Sequence, residues 1–181
     1  MRLQKKICFI AFMTFGIVGF SQNEIKPASN KKEFEENYKT RIQQTQIQGQ
    51  YIPKDLPDAF AELVKLTDAN SIEKFIKMTE YEAEHKLYFS LGRWICTNWG
   101  FYEGSRMSHY LRESGITFPE DQAVAVIVAW HRALNKKDIN FKELRDRMVE
   151  KRKKEQEERL KKAKVIKEET LKPSPNSSVK N

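Results

Sequence analysis

The segment Leu87–Arg112, LYFSLGRWICTNWGFYEGSRMSHYLR, decides the predicted fold because it encodes two helices and the bend between them. Thr79 and Glu82 have the spacing of a capping box that begins a helix. Gly100 offers the left-handed conformation in which many helices end. The intervening apolar residues lie on one helical face, at Leu87, Leu91, Trp94 and Ile95. The sequence therefore predicts a helix from Thr79 to Asn98.

A second helix is predicted after a short turn over residues 101–104. Ser105 has the side chain of an N-cap, and Gly115 is placed to end the helix. Its apolar residues are Met107, Tyr110 and Leu111. The predicted product is a helical hairpin with a corner made of three aromatic residues, Trp99, Phe101 and Tyr102.

Further helices are predicted on both sides of the hairpin. Asp55 caps a helix with an apolar face, and Asn70 with Glu73 forms a capping box for a short helix over residues 70–78. Pro119 and two acids open a nearly all-apolar helix that runs to Leu134, so this helix is predicted to be the buried centre. The fold class is all-α, a small bundle of four to five helices over residues 51–139, followed by a long charged, solvent-exposed helix.

Residues 1–21 have the organisation of an export signal. A basic start is followed by the apolar run Ile7–Val18, and Gly19 and Ser21 are small residues placed for cleavage before Gln22. A retained membrane anchor is the alternative. It is disfavoured because the apolar run is shorter than the ~20 residues that span a bilayer. The predicted mature protein is exported, to the periplasm or beyond the cell, with no transmembrane segment after cleavage.

Residues 22–50 are polar and rich in glutamine, which predicts a flexible spacer. A weakly amphipathic helix is the alternative, because Phe34, Tyr38 and Ile42 share helical spacing. Residues 140–172 are predicted to form the charged helix, and residues 173–181 a disordered tail. Five pairs of opposite charge at i,i+4 spacing are expected to stabilise this helix: Glu143–Arg147, Glu150–Lys154, Glu155–Arg159, Glu157–Lys161 and Glu158–Lys162.

Positive charge is concentrated near the C-terminus. The chain has a formal net charge of +8, and residues 142–172 hold 13 basic and 8 acidic residues. Residues 22–141 hold 16 basic and 17 acidic residues, so the predicted domain has no basic face of the kind that nucleic-acid-binding proteins use. The predicted partner is instead an envelope protein or an acidic surface that contacts the charged helix.

Side chains suited to binding a ligand or a partner are concentrated in and near the bend. The candidates are Arg93, Asn98, Trp99, Tyr102, Glu103, Arg106 and His131. In one interpretation the rings fill the corner, and Arg93 or Arg106 pairs with Glu103. In the other, the same groups form a pocket. His131 is either a core histidine bonded to a carbonyl, Asp121 or Glu103, or a member of that pocket.

No metal or cofactor is predicted. Glu82 and His85 have the spacing found in di-iron bundles, but the chain lacks the second copy that such sites need. Cys96 lies among apolar residues mid-helix, which predicts an inert buried thiol. The leading functional hypothesis is a non-enzymatic binding module of the cell envelope. The alternative is a small hydrolase with His131 or His109 as its general base.

Four segments of the chain resemble an uncharacterised family of bacterial helical domains. The family pattern runs LGxWIRNNWGLWxGS, then HPDD, then HRxL, after an opening IPKDL. The matching segments are IPKDLPDAF from Ile52, LYFSLGRWICTNWGFYEGSRM from Leu87, FPED from Phe118 and HRAL from His131. Cys96-Thr97 and Phe118 depart from the pattern. The resemblance implies a compact α-helical domain and carries no known activity.

Overall fold

The computed structural model describes residues 28–171, and the side chains of residues 28–164. Its helices are α1 (Lys31–Arg41), α2 (Leu56–Leu66), α3 (Ala69–Lys77), α4 (Glu80–Leu87), α5 (Arg93–Asn98), α6 (Arg106–Glu113), α7 (Pro119–Leu134) and α8 (Phe141–Leu171). A π-helical turn, Tyr88–Gly92, joins α4 to α5. The strands β1 (Gln46–Ile47) and β2 (Gln50–Tyr51) form a short antiparallel hairpin. The all-α prediction is confirmed, and the predicted signal and tail lie outside the described residues.

Helix α7 is the centre of the fold, as its sequence predicts. Residues 125–130 of this helix are almost completely buried because its apolar side chains cover most of its circumference. Helices α2 to α6 and α8 pack around it, together with the π-helical turn. At its C-terminal end the Trp130 ring lies 4.7 Å from the ring of Phe75, between centroids.

The helix predicted from Thr79 to Asn98 is present, with one irregularity. Its capping box is formed: the Thr79 amide donates to Glu82 Oε2 over 2.9 Å, and the Glu82 amide donates to Thr79 Oγ1 over 3.2 Å. The irregularity is the π-helical turn, in which one extra residue widens the helix. Gly92 ends this turn against α7, where an added Cβ would lie 3.5 Å from Ile127 Cδ1. The apolar spacing of the sequence does not reveal this turn.

The other predicted helix ends are confirmed with one exception. Asp55 and Ser105 cap α2 and α6, and Gly100 and Gly115 adopt φ angles of +64° and +99°. The exception is α3, whose N-cap lies two residues earlier than predicted. Its N-cap is Asp68 rather than Asn70, since the Asp68 carboxylate accepts a hydrogen bond from the Ser71 amide over 3.0 Å.

The described part of the predicted spacer, residues 28–50, is an ordered N-terminal arm, so the prediction of a flexible spacer is wrong for these residues. The arm consists of α1 and most of the hairpin, and it packs on the bend. Arg41 is buried and donates from Nε to the Gly104 carbonyl over 2.8 Å. The Tyr38 hydroxyl lies 2.9 Å from His109 Nδ1. The anchoring side chains are polar, and for that reason composition alone indicates a spacer.

Replacing Gly104 with alanine is expected to lower the free energy of unfolding by about 2 kcal/mol and to loosen the N-terminal arm. Gly104 has a φ angle of +91°, and a Cβ at this position would overlap the ring of Tyr38. The measurement is urea unfolding, together with the rate of tryptic cleavage after Arg41.

Gly49→Ala is the matched control for this substitution. Gly49 also has a positive φ angle, +78°, but an added Cβ would meet no atom within 4 Å. Gly49→Ala should therefore lower the free energy of unfolding by about 1 kcal/mol, through backbone strain alone. It should not speed tryptic cleavage after Arg41. Equal effects from the two alanines would show that the arm does not depend on contact with Gly104.

The first part of α8 is fastened to the domain, which the sequence does not predict. Leu144 and Met148 are buried against the other helices. Arg147 Nη2 lies 3.1 Å from Glu84 on α4, and Arg152 binds Asp121 on α7 through both Nε and Nη2. Among the described side chains of α8, those of residues 156–164 are exposed around the whole helix.

Most of the ion pairs predicted within α8 are not formed by the described side chains. Of the five, only Glu150–Lys154 is present, at 3.6 Å. Glu143 pairs with Arg132 of α7 instead, and Glu155 pairs with Arg152. The domain supplies competing partners that the sequence of α8 does not show. Within residues 28–171, no helix combines the length and apolar character that crossing a membrane requires.

Candidate functional site

The centre of the bend is core. Trp99 and Phe101 are 0% and 1% exposed. The Trp99 ring lies 6.0 Å from Trp94 and 6.4 Å from Phe101, between centroids, in the inclined geometry that aromatic pairs prefer. A ligand cannot reach Trp99, so its candidacy as a binding residue is wrong, and the structural interpretation of the corner holds for this ring.

Neither predicted arginine pairs with Glu103. Its exposed carboxylate lies 3.6 Å from Arg41 of the N-terminal arm. Arg106 Nε instead donates to the Ile52 carbonyl over 2.6 Å, while Arg93 is exposed on α5. The partner of Glu103 was missed because residue 41 was assigned to a spacer.

Asn98 makes only a local hydrogen bond among the described residues. Its amide nitrogen donates to the Trp94 carbonyl one turn earlier, over 2.9 Å. The side chain therefore completes the last turn of α5. It has the geometry of a structural residue rather than of a ligand contact.

His131 is a core histidine, and a carbonyl is its partner. The ring is 2% exposed and its Nε2 lies 2.9 Å from the Met78 carbonyl, so Nε2 carries the proton. Helix α6 lies at the other end of α7, where the Gln122 amide donates to the Ser108 carbonyl. His131 is nine residues further along, roughly 13 Å. The predicted cluster of His131 with Glu103 and Arg106 is therefore not assembled, and neither predicted carboxylate contacts this imidazole.

His109, the alternative general base, contacts the N-terminal arm. Its Nδ1 is bonded to the hydroxyl of Tyr38, and the Arg112 guanidinium lies over the same tyrosine ring, 5.3 Å from its centroid. Ser105, the nearby hydroxyl, accepts from the Ser108 amide as the N-cap of α6. These groups fasten the N-terminal arm and the helix start. Within residues 28–164, no three His, Cys, Asp or Glu side chains are grouped so as to hold a metal ion.

A different set of aromatic side chains is accessible, around the start of α7. We name it the α7 face, and its members are Tyr88, Phe89, Tyr102 and Phe118. Phe89 is 74% exposed, Tyr102 50% and Phe118 48%. Tyr88 and Phe89 lie on the π-helical turn, edge to face with centroids 5.1 Å apart. The Cys96 thiol donates to the Pro119 carbonyl over 3.4 Å and so joins α5 to this end of α7.

The tyrosine hydroxyls of the α7 face and the nearby Cys96 thiol keep their protons at physiological pH, because the pKa of each is raised. Burial raises the pKa of the Tyr102 hydroxyl to about 12, and the nearby Cys96 thiol and Glu120 carboxylate act in the same direction. Burial also raises the pKa of the Cys96 thiol to about 11. The pKa of Tyr88 is raised by burial and then by Glu120. These groups are suited to contact and hydrogen bonding rather than to proton transfer.

One ion pair divides two clefts beside the α7 face. Arg152 Nη2 donates to Asp121 Oδ1 over 3.0 Å, and the same guanidinium lies over the Phe118 ring, 4.6 Å from its centroid. On one side, a cleft of about 460 Å³ is lined by Tyr88, Phe89 and Glu120, among others. On the other side, a groove of about 630 Å³ runs between the α6–α7 loop and α8. The Asp121–Arg152 pair lines both.

Sequence reasoning missed Phe89, Phe118 and Arg152. Phe89 falls between Leu87 and Leu91, off the apolar face of its helix, and an aromatic residue on the polar side of a helix was a usable signal. Phe118 stands out in the sequence only as a departure from the family pattern. Nothing in the sequence marks Arg152, because its partner Asp121 is 31 residues away.

Comparison with known proteins adds a family but no activity. No curated protein and no solved structure matches the chain. Residues 52–134 match the model of a family described as a domain of unknown function, DUF6794. The matched segment begins just after the N-terminal arm, ends with α7, and contains the bend and all four rings of the α7 face. This part of the chain is therefore similar to the domains of the uncharacterised DUF6794 family.

Proposed function

We propose that the protein is a non-enzymatic, exported binding module of the cell envelope, and that it contacts a partner protein through the α7 face. The observation that carries the proposal is the placement of three accessible or half-buried rings around Glu120, with a fourth, Phe118, at the N-cap of α7 two residues before it. Aromatic side chains are the residues that most often dominate the binding energy of protein interfaces.

The α7 face is held in place by the core beneath it, which favours binding. Tyr88 and Phe89 stand on a π-helical turn that packs on α7, and Tyr102 follows the buried bend. Rings that are already positioned lose little conformational freedom when a partner binds. Groups of exposed rings on a soluble domain commonly mark sites of protein contact.

Export is the second part of the proposal, and it rests on the sequence of residues 1–21. The basic start, the short apolar run and the small residues before Gln22 all favour secretion with cleavage. Helix α8 then serves as an additional contact arm outside the cytoplasm. Its positive charge suits an acidic partner.

The experiment captures a partner from an envelope fraction with purified protein. Phe89→Ser combined with Tyr102→Ser removes two rings of the α7 face. Phe34→Ser combined with Val64→Ser is the control, since it removes two exposed apolar side chains elsewhere. We expect wild type and control to retain the same partner and the face variant to lose it. Equal capture by all three proteins would contradict the binding role, and recovery of the native protein only from the cytoplasm would contradict export.

A further inference from the structure

The groove beside α8 has an apolar floor and walls. It lies between the loop of residues 115–118 and one side of α8. Ile116 and Met148 are buried at its base, and Phe118 and Val149 are half-exposed at its sides. We name it the α8 groove. Its volume of about 630 Å³ is in the range of sites that accept a few side chains of a bound segment.

The charges that line the α8 groove are unbalanced. Its two carboxylates, Asp121 and Glu155, are both engaged by Arg152, at 3.0 Å and 3.2 Å from its Nη atoms. Lys153 and Arg159 also line the groove, and neither is within ion-pair distance of a carboxylate in the described part of the chain. They are six residues apart on α8, which is a rise of roughly 9 Å along the helix axis. Within residues 28–164, the groove therefore offers two unpaired cations beside its apolar side chains.

We propose that the α8 groove binds an acidic segment of a partner protein. An apolar side chain of the segment enters between Phe118 and Val149, and two carboxylates of the segment pair with Lys153 and Arg159. The inference rests on the proposed binding function and names the chemistry of the partner. Charge complementarity carries the assignment, because both carboxylates of the groove are already paired with Arg152 and do not attract a basic segment.

Two other occupants fit the α8 groove less well. A membrane meets a convex or flat basic surface, whereas these apolar side chains line a concave groove. The last ten residues of this chain, from Lys172, contain lysines and no acidic side chain, so they do not complement Lys153 and Arg159.

The test selects dodecapeptides from a random displayed library on the purified protein. Lys153→Glu combined with Arg159→Glu reverses the charge of the groove. Lys161→Glu combined with Lys162→Glu makes the same change in net charge on exposed residues of α8 outside the groove. We expect selected peptides to combine acidic residues with an aliphatic or aromatic one. Their affinity should fall roughly tenfold or more in the groove variant and less than twofold in the control.

Several outcomes would overturn the inference. These are a selection without acidic enrichment, equal weakening by the two reversals, or peptides insensitive to both. Binding to phosphatidylglycerol vesicles is measured in parallel. If the groove variant loses vesicle binding and keeps peptide binding, the groove is a lipid site instead. If the Phe89→Ser/Tyr102→Ser variant loses the envelope partner but the groove variant keeps it, the binding function stands and this inference fails.

Discussion

Trp99→Ala is expected to lower the free energy of unfolding by about 4 kcal/mol, the size typical of emptying a large aromatic site in a core. Trp99 is completely buried and packs on Trp94 and Phe101 at the bend between α5 and α6. Its removal leaves a cavity where two helices meet, and the neighbouring rings can fill it only in part. Chemical denaturation followed by circular dichroism measures the loss.

Tyr102→Ala is the matched control, three residues further along the same bend. Its ring is 50% exposed, so the loss should stay below about 1 kcal/mol. Trp99→Phe keeps most of the volume and gives an intermediate value if the alanine variant does not fold. A loss at Tyr102 as large as that at Trp99 would show that the tyrosine belongs to the core, and would remove it from the proposed α7 face.

Arg132→Ala is expected to lower the free energy of unfolding by about 3 kcal/mol, because it removes the buried centre of a part-buried ionic network. The guanidinium binds Glu80 on α4 through two hydrogen bonds of 2.8 and 2.7 Å. It also donates to Glu143 on α8 and to the Ile139 carbonyl. One side chain thus joins three helices, and its loss leaves the Glu80 carboxylate short of its main partner.

The pH dependence of this loss gives a second measurement. The Arg132 guanidinium holds the pKa of Glu80 below its usual range. A carboxyl with a lowered folded pKa stabilises the protein above the unfolded pKa of about 4.3, and this contribution fades as the pH falls further. The difference between wild type and Arg132→Ala should therefore narrow in acid. Lys77→Ala, which breaks an exposed pair with Glu73, should cost less than about 0.5 kcal/mol at any pH.

The helical architecture follows from local signals in the sequence. The apolar run after Pro119 predicts a central helix, because a helix with apolar side chains on every face must be buried on every face. The capping residues Thr79, Asp55 and Ser105 fix three helix starts. These features depend on residues within a few positions of one another, so a single sequence is enough to predict them.

The features that sequence missed depend on distant partners. Arg41 is buried because it reaches Gly104, which is 63 residues away, and its surroundings in sequence are polar. Glu143 and Glu155 have suitable partners one turn away in α8, yet they bind arginines held in a better position by the fold. Local spacing cannot weigh such competition.

The predicted site residues differ in how far they are accessible. Tyr102 is accessible, as a binding residue must be, whereas Trp99 and His131 are core. The bend contains both accessible and core side chains, and the position of α7 decides which of them are buried. The exposed rings that extend the site, Phe89 and Phe118, belong to the π-helical turn and to the start of α7, which the sequence does not bring together.

The way α8 is fastened has a mechanical consequence. Arg147 and Arg152 fix its early turns to α4 and α7, and the helix continues for 19 residues beyond Arg152, to Leu171. At 1.5 Å per residue, this projection is a lever of roughly 28 Å. A partner bound near the projecting end of α8 would exert torque on the Asp121–Arg152 pair. A force at that end would therefore reach the wall shared by the two clefts.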